Sequence, residues 1–369
     1  MLMHHGAVEY GAAAERAKDW ANAKLETIIN SGKERLGETL QVIEDSQPRD
    51  AWVGSAALNF GADERGFGVQ FGEREHTPFH DHALLQLTDR AGMPSGRKMI
   101  NWLNSEPEGP RWLADLMNVK YARQEKKKYL VRTVNDQVRG FLSNRYLPLQ
   151  SPPIVKSFLE GVAAYGAMPV KAQAFDTKFY VKTILPHILE PLPGEVVLFG
   201  LSLRNSDYGD GKLEIAGFIH RLRCTNLMMT EDGFSRVHLG AAIGENIEFS
   251  RKTIELQTEA ACSATKDIVR NVFEPSYVKD KVERIKALAS ENVDADNVIE
   301  GLRKASKLTK DEAKQVKELY SSADVENLPA GQNKWRLSNT LSLFGQRSEP
   351  ERELELEVLA GDVAGLTKN

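Results

Sequence analysis

Arginines and lysines at strand spacing are the residues of this chain with the most legible chemistry. Residues 199–226 read FGLSLRNSDYGDGKLEIAGFIHRLRCTN, two alternating runs on either side of an Asn-Ser-Asp-Tyr-Gly-Asp-Gly turn. Alternation across the pleat points Arg221 and Arg223 the same way, about 7 Å apart, which is near the spacing of successive phosphates. Arg204 and Lys212 widen that positive surface. The competing reading is the solvated face of an antiparallel sheet.

A second basic segment spans residues 120–145. Lys120, Arg123, Lys126, Lys127, Lys128, Arg132, Arg139 and Arg145 face only Glu125 and Asp136, and Tyr121, Tyr129, Phe141 and Tyr146 are interleaved. Cations attract phosphates without regard to sequence, and aromatic faces stack on unpaired bases, so the combination suits a single strand. A solvated helix face and core aromatics account for the same residues in a plainer way. Residues 348–365 reverse the charge, with Glu349, Glu351, Glu353, Glu355, Glu357 and Asp362 against Arg352 alone. That acidic stretch can shield the basic surface or meet a neighbouring subunit.

Metal chemistry would start from His76, His80, Asp81 and His82 in HTPFHDH. Pro78 interrupts any helix that would align His76 with His80, so loop histidines capping a helix that begins near Asp81 are the better explanation. His220 and His238 stand alone and read as packed or hydrogen-bonded side chains. Asp and Gly at the turn of residues 207–210 are explained by backbone geometry without a bound cation. No G-x-x-x-x-G-K-[ST] loop and no G-x-S-x-G elbow occurs, and the glycines at Gly66 and Gly68 do not complete a dinucleotide fingerprint. Cys224 and Cys262 are the only cysteines, which leaves no disulfide framework and no thiolate metal site. Neither a cofactor nor a catalytic residue is expected.

These side chains need elements to hold them. The chain has 369 residues, 41% hydrophobic and 27% charged, and a formal net charge of −4, an ordinary globular composition that excludes a wholly basic nucleic-acid coat. With no secretory leader pattern and no long apolar run, a cytoplasmic protein is expected. The pattern predicts a helix over residues 12–40, short Gly-rich strands over 52–72, and helices over 81–91 and 95–103. A hairpin over residues 129–134 and 137–142 turns at Asn135-Asp136, and LPLQSPP at 147–153 marks a boundary. A helix over 154–165 follows, then strands over 178–185, 195–204 and 212–225. From Phe249 the period turns helical, and Thr309 with Glu312 has capping-box spacing. The expected class is α+β: an antiparallel sheet with a central β-hairpin packed on a long helix, followed by a helical C-terminal subdomain. The expected division is a mixed N-terminal region (1–75), an α+β core with the basic segments (76–275) and the helical subdomain (276–369).

Several stretches together carry a resemblance: ALLQL at 83–87 with Ala91-Gly92-Met93-Pro94, VRGFLSNRY at 138–146, the 201–226 hairpin, and residues 339–344 with Ala360-Gly361. Over about residues 76–365 the chain resembles a family of phage- and plasmid-borne proteins to which no activity is assigned. Leu227 follows Asn226 where that family usually has glycine, which removes the case for a positive-φ turn there. The resemblance implies a mobile-element origin, in prophage, phage or plasmid. In outline the hairpin, further strand and long helix are similar to the core of single-strand annealing proteins such as RecT and Red-beta. Under that likeness the chain binds single-stranded DNA and anneals strands as a homo-oligomer. Lys126, Lys127, Lys128, Arg132, Arg139, Arg145, Arg204, Lys212, Arg221 and Arg223 would line its groove, and Tyr129 and Tyr146 would stack. The alternatives are a phage interaction or structural protein assembling through its charged ends, and a metal-dependent enzyme using His76, His80 and His82.

Overall fold

The computed structural model describes residues 12–73, 75–93, 96–124, 127–222, 226–229, 234–236, 249–322 and 328–366. A long helix, α1 (Ala12–Asp45), leads into a small mixed layer. This comprises β1 (Arg49–Gly54), β2 (Asn59–Asp63), β3 (Gly66–Gln70), β4 (Thr77–Pro78), α2 (Asp81–Arg90), α3 (Gly96–Ser105), α4 (Gly109–Ala122), β5 (Lys128–Val134) and β6 (Gln137–Ser143). Two three-stranded antiparallel sheets, in the orders β1-β5-β6 and β2-β3-β4, share one core with α2 and α4 that runs from Val53 to Phe141. That core joins residues on both sides of position 75, where a boundary was expected. Asn135 and Asp136 have φ of 49° and 54°, the left-handed pair that a two-residue hairpin turn demands.

The second layer begins with α5 (Ser151–Ala163), whose first turn contains the prolines expected to mark a boundary. Strands β7 (Met168–Ala174), β8 (Phe179–Ile184), β9 (Leu189–Leu192), β10 (Glu195–Asn205), β11 (Leu213–Arg221), β12 (Asn226–Met229) and β13 (Phe234–Arg236) follow. They form an antiparallel sheet ordered β12-β11-β10-β8-β7, with β9 beside β10 and β13 beside β11. Six helices complete the chain: α6 (Arg251–Val272), α7 (Pro275–Ser290), α8 (Ala295–Lys304), α9 (Lys310–Ser321), α10 (Lys334–Gly345) and α11 (Pro350–Ala364). The class is therefore the expected α+β, with the β10–β11 hairpin central and a long helix, α6, against it.

Alternation along the long strands sorts their side chains to two buried faces. Leu201, Leu203, Leu213 and Ile215 meet α5 and α6 through Phe158, Ala261 and Val269. Further along the same face, Val197, Phe199 and Ile219 meet the C-terminal helices through Trp335, Leu341 and Leu356. The opposite face, with Ile184, Leu198 and Phe218, is covered by α1 through Ala21 and Leu25. The capping box at Thr309 and Glu312 opens α9 as its spacing predicts. None of the described helices is long and apolar enough to cross a membrane.

Helix α1 lies on β7 at Gly32, where a Cβ would come within 2.4 Å of the Pro169 carbonyl oxygen and 2.5 Å of the Val170 Cα. Both obstacles are backbone, so the strand must shift. Gly37, in the same helix, has nothing within 4 Å of that position. Removing glycine from a helix interior gains about 0.5–1 kcal/mol where nothing opposes it. Gly32→Ala is therefore expected to destabilise by about 1–3 kcal/mol through overpacking, and Gly37→Ala to stabilise by about 0.5–1 kcal/mol. Equilibrium urea unfolding of the two variants checks the opposite signs.

Candidate nucleic-acid interface

The hairpin arginines expected to meet a ligand are turned to acceptors of the protein itself. Arg221 is buried, at 1% exposure, and donates Nε and Nη2 to the two Glu195 carboxylate oxygens at 2.5 and 2.8 Å. The guanidinium's fork matches the carboxylate, and desolvating it there without such a partner would be costly. Arg204 pairs with Glu214, its cross-strand neighbour, and Lys212 approaches the same carboxylate at 3.3 Å. The turn between the strands is also interior: Asn205, Ser206 and Tyr208 are buried. These placements engage Arg204 and Arg221, both expected at a phosphate, with the protein's own carboxylates, while Lys212 stays half-exposed. Arg223 and Lys126, like Cys224 and His238, lie outside the described residues.

Arg132, Arg139 and Tyr129 of the 120–145 segment, and Tyr146 just after it, are likewise engaged within the protein. Arg132 is buried, donating Nε to Asp50 at 2.7 Å and Nη1 to the Asp207 carbonyl. Burial works to lower its pKa, but the Asp50 carboxylate and the neighbouring Tyr146 and Asp207 outweigh it and hold the charge. Arg139 donates to the Asp176 carbonyl at 2.6 Å and lies over the Tyr208 ring. Tyr129, expected to stack on a base, stacks on Phe141 inside the core at 4.8 Å between centroids and donates its hydroxyl to Gln124. Tyr146, expected in the same role, is buried with its hydroxyl 3.3 Å from the Ser206 carbonyl oxygen. The apolar run of β5 on both sides of Arg132 was the signal that this strand is covered on two faces.

What remains outside converges. Lys127, Lys128 and Arg145, all expected at the site, line one open cavity of about 300 Å³ together with Arg90, Ser143 and Asn144, over a floor that includes Tyr129. No carboxylate of the described residues lines it. Strand pairing sets the geometry: β5 starts at Lys128 and β6 ends at Ser143, with Tyr129 opposite Ser143, so the open end of the hairpin carries the cations. The backbone of Lys127 is pinned by Ser55, whose N–H donates to its carbonyl at 2.8 Å. Arg90 enters from the last turn of α2, where Gln124 donates to its carbonyl at 3.3 Å. Its Nη1 donates to the Gln86 carbonyl at 3.1 Å, while its Nε is shielded from water and has no partner among the described residues. Burial pulls the Arg90 pKa below its ordinary value, a cost that an anion in the cavity would offset. Sequence reasoning missed Arg90, which lies 55 positions before Arg145; its place in the last turn of α2 was the available signal.

The competing chemistries are accounted for elsewhere in the fold. His80 caps α2, its Nδ1 accepting from the His82 N–H at 3.2 Å; His76 lies 3.5 Å from Asp63, and His82 lies 3.1 Å from the Tyr208 carbonyl oxygen. Among the described residues no three His, Cys, Asp or Glu side chains are grouped to hold a metal ion. Asp210 of the turn accepts from Thr177 at 2.5 Å. A larger cavity, about 540 Å³, lies between α8, α9 and α11, but its Arg303 and Arg352 are paired with Glu300 and Glu312. The acids of α11 bind lysines of the same chain, Glu351 to Lys178, Glu353 to Lys171 and Glu357 to Lys182, which leaves less of that helix for a neighbouring subunit. No family model, curated protein or solved structure matches the chain.

Two measurements test this division of the charged residues. Removing one partner of a buried ion pair leaves the other's desolvation uncompensated, so Arg132→Met is expected to cost about 3 kcal/mol in urea unfolding. An unchanged midpoint would mean that the guanidinium does not hold the junction. His220 is 3% exposed, neither ring nitrogen has a partner among the described residues, and burial, reinforced by Lys24, Lys182 and Lys171, pushes its pKa down to about 3. The unfolded chain, with a histidine pKa near 6.5, then takes up this proton first. The neutral-ring stability present above pH 6.5 is lost as the pH falls from there toward 3, by at most about 1.4 kcal/mol per unit. His220→Leu is expected to flatten the fall of stability between pH 6.5 and 4, measured as urea midpoints against the parent protein.

Proposed function

We propose that this protein binds single-stranded nucleic acid, DNA in the first instance, with its phosphates in the cavity formed by Arg90, Lys127, Lys128 and Arg145. The observation that carries the reading is the convergence of four cations from three segments of chain on a cavity that no carboxylate of the described residues lines. Lys127 and Arg145 are exposed and have no ion-pair partner among the described residues, so their charge is available to a polyanion. Cations in this arrangement bind by releasing the counterions condensed on the phosphates, without reading bases. A space of about 300 Å³ accommodates a phosphate or two of a flexible strand, whereas a stiff duplex meets only its rim. Ser143 and Asn144 offer hydroxyl and amide groups at the same rim. Strand annealing, and assembly of several copies into one continuous groove, extend the same proposal.

The test is binding of the full chain to a fluorescent single-stranded oligonucleotide across a salt series, with duplex and RNA in parallel and complementary strands in an annealing assay. Single-strand contacts contribute about 0.7 each to the slope of log affinity against log salt. Lys127→Ala with Arg145→Ala is expected to make the slope shallower by roughly 1.4 and weaken binding about tenfold or more at low salt. Because both side chains are exposed, the urea midpoint should stay within about 0.5 kcal/mol of the parent's. Equal affinity and slope in parent and variant would exclude the cavity as the binding site.

A further inference from the structure

Nine large hydrophobic side chains are exposed among the described residues, and four of them, Trp102, Trp112, Leu116 and Val119, belong to α3 and α4. Those helices already bury a full apolar face, through Ile100 and Leu103 on α3 and Leu113, Met117 and Tyr121 on α4. The exposed set is therefore a second apolar surface, which core packing does not require. Trp102 and Trp112 are in ring contact, with centroids 6.2 Å apart and planes 31° from parallel, and remain 54% and 48% exposed. On α4 the spacing of Trp112, Leu116, Val119 and Arg123 places them on one side of the helix, turn after turn.

This stripe ends at the basic cavity. Arg123 precedes Gln124, which donates to the Arg90 carbonyl and accepts from the Tyr129 hydroxyl, and both of those residues line the cavity. At about 1.5 Å of rise per residue, Trp112 stands roughly 17 Å along the helix from Arg123. Lys98 is one turn before Trp102 on α3, and Glu108, one turn before Trp112, has Arg111 at 3.9 Å; neither Lys98 nor Arg123 has an ion-pair partner among the described residues. Asp115 is the one carboxylate within α4. A wholly apolar partner would leave those cations unanswered, whereas a polyanion carrying flat rings answers both features.

We propose that the Trp102–Trp112 pair is a stacking platform for unpaired bases of the same strand whose phosphates occupy the cavity. The inference rests on the single-strand reading and deepens it: stacking makes the bases themselves part of the binding free energy, so that a strand is held by more than its charge. Stacking on an indole is tolerant of sequence, because every base presents a π face.

The experiment compares an oligothymidylate with an abasic strand of equal length, which keeps the phosphates and lacks the bases, on the full chain and on a Trp102→Ala, Trp112→Ala variant. The parent is expected to prefer the oligothymidylate, with quenching of its tryptophan fluorescence. The variant should bind the oligothymidylate about tenfold more weakly for each base that loses its stack, and the abasic strand as the parent does. Equal affinity of parent and variant for the oligothymidylate overturns the platform while leaving the cavity reading intact, which the Lys127→Ala, Arg145→Ala variant tests separately. A variant that sediments as a smaller species than the parent, with unchanged oligothymidylate affinity, makes the face a protein interface and also overturns it. Failure of the parent to bind either strand at low salt removes the single-strand reading and the platform together.

Discussion

A guanidinium taken out of water must be given acceptors, and Arg132 is the residue around which that requirement organises the molecule. Its acceptors come from Asp50 in β1 and from the Asp207 carbonyl in the β10–β11 turn, residues 82 and 75 positions away. The same turn donates the Tyr208 hydroxyl to the Ser46 carbonyl at 2.6 Å and accepts at the Tyr208 carbonyl from Gln86 at 2.8 Å. Four distant stretches of chain, the segment from the end of α1 into β1, α2, the β5–β6 hairpin and the central hairpin turn, are locked together at one polar junction. The buried Arg132 guanidinium carries a desolvation cost that these acceptors offset. Gly140 belongs to it, since a Cβ at that position would contact Arg132 and the Tyr208 backbone at 3.5 Å.

The junction also places the candidate site. Arg132 faces Asp50 in the β1–β5 pairing and Gly140 in the β5–β6 pairing, which fixes both registers. Four residues back along β5, about 13 Å at strand rise, Lys128 begins the strand opposite Gly54. A slip of one residue would carry Lys128 and Tyr129 to opposite faces and exchange a surface cation for a core aromatic. The ring of Tyr129, stacked on Phe141 with its hydroxyl on Gln124, supports the floor of the cavity while Lys127 and Arg145 beside it stay in water. The buried arginine therefore matters to the site through register, although it does not line the cavity.

Much of the fold was legible because local chemistry determined it. Asn135-Asp136 between two apolar runs specified the hairpin, Thr309 with Glu312 specified the start of α9, and the change of period after Phe249 specified α6. Among the elements that were not legible are α4 and β7. Helix α4 lies between a Glu-rich turn and the basic run, and its exposed stripe of Trp112, Leu116 and Val119 obscures the amphipathic pattern that would have identified it. Strand β7 contains Pro169 and is specified by the helix lying on it at Gly32. Lys127, Lys128 and Arg145, expected at the site, do line one cavity, and each is a cation at or beside a strand end. The misreadings concern pairing. Nothing in the alternation of residues 213–221 announces that Glu195, 26 positions earlier, will take both donors of Arg221.

Pairing is also what reconciles an acidic chain with a basic site. The formal charge is −4, yet the acids of α11 are largely spent on lysines of the same chain, the Lys182–Glu357 pair at 2.5 Å with almost no exposure. Such pairs add little to the field outside, because each charge is cancelled at contact distance. Charges left over act over about a Debye length, roughly 8 Å at physiological ionic strength. Among the described residues, a phosphate entering the cavity meets Arg90, Lys127, Lys128 and Arg145 at its lining. Net charge is the sum of all ionisable groups, whereas affinity for a polyanion depends on the charges gathered at one place on the surface. By that criterion the central hairpin, with Arg221 buried on Glu195 and Arg204 paired with Glu214, has little charge to offer a polyanion, and the open end of the β5–β6 hairpin, where described cations gather, is the place to which the proposed single-strand reading is tied.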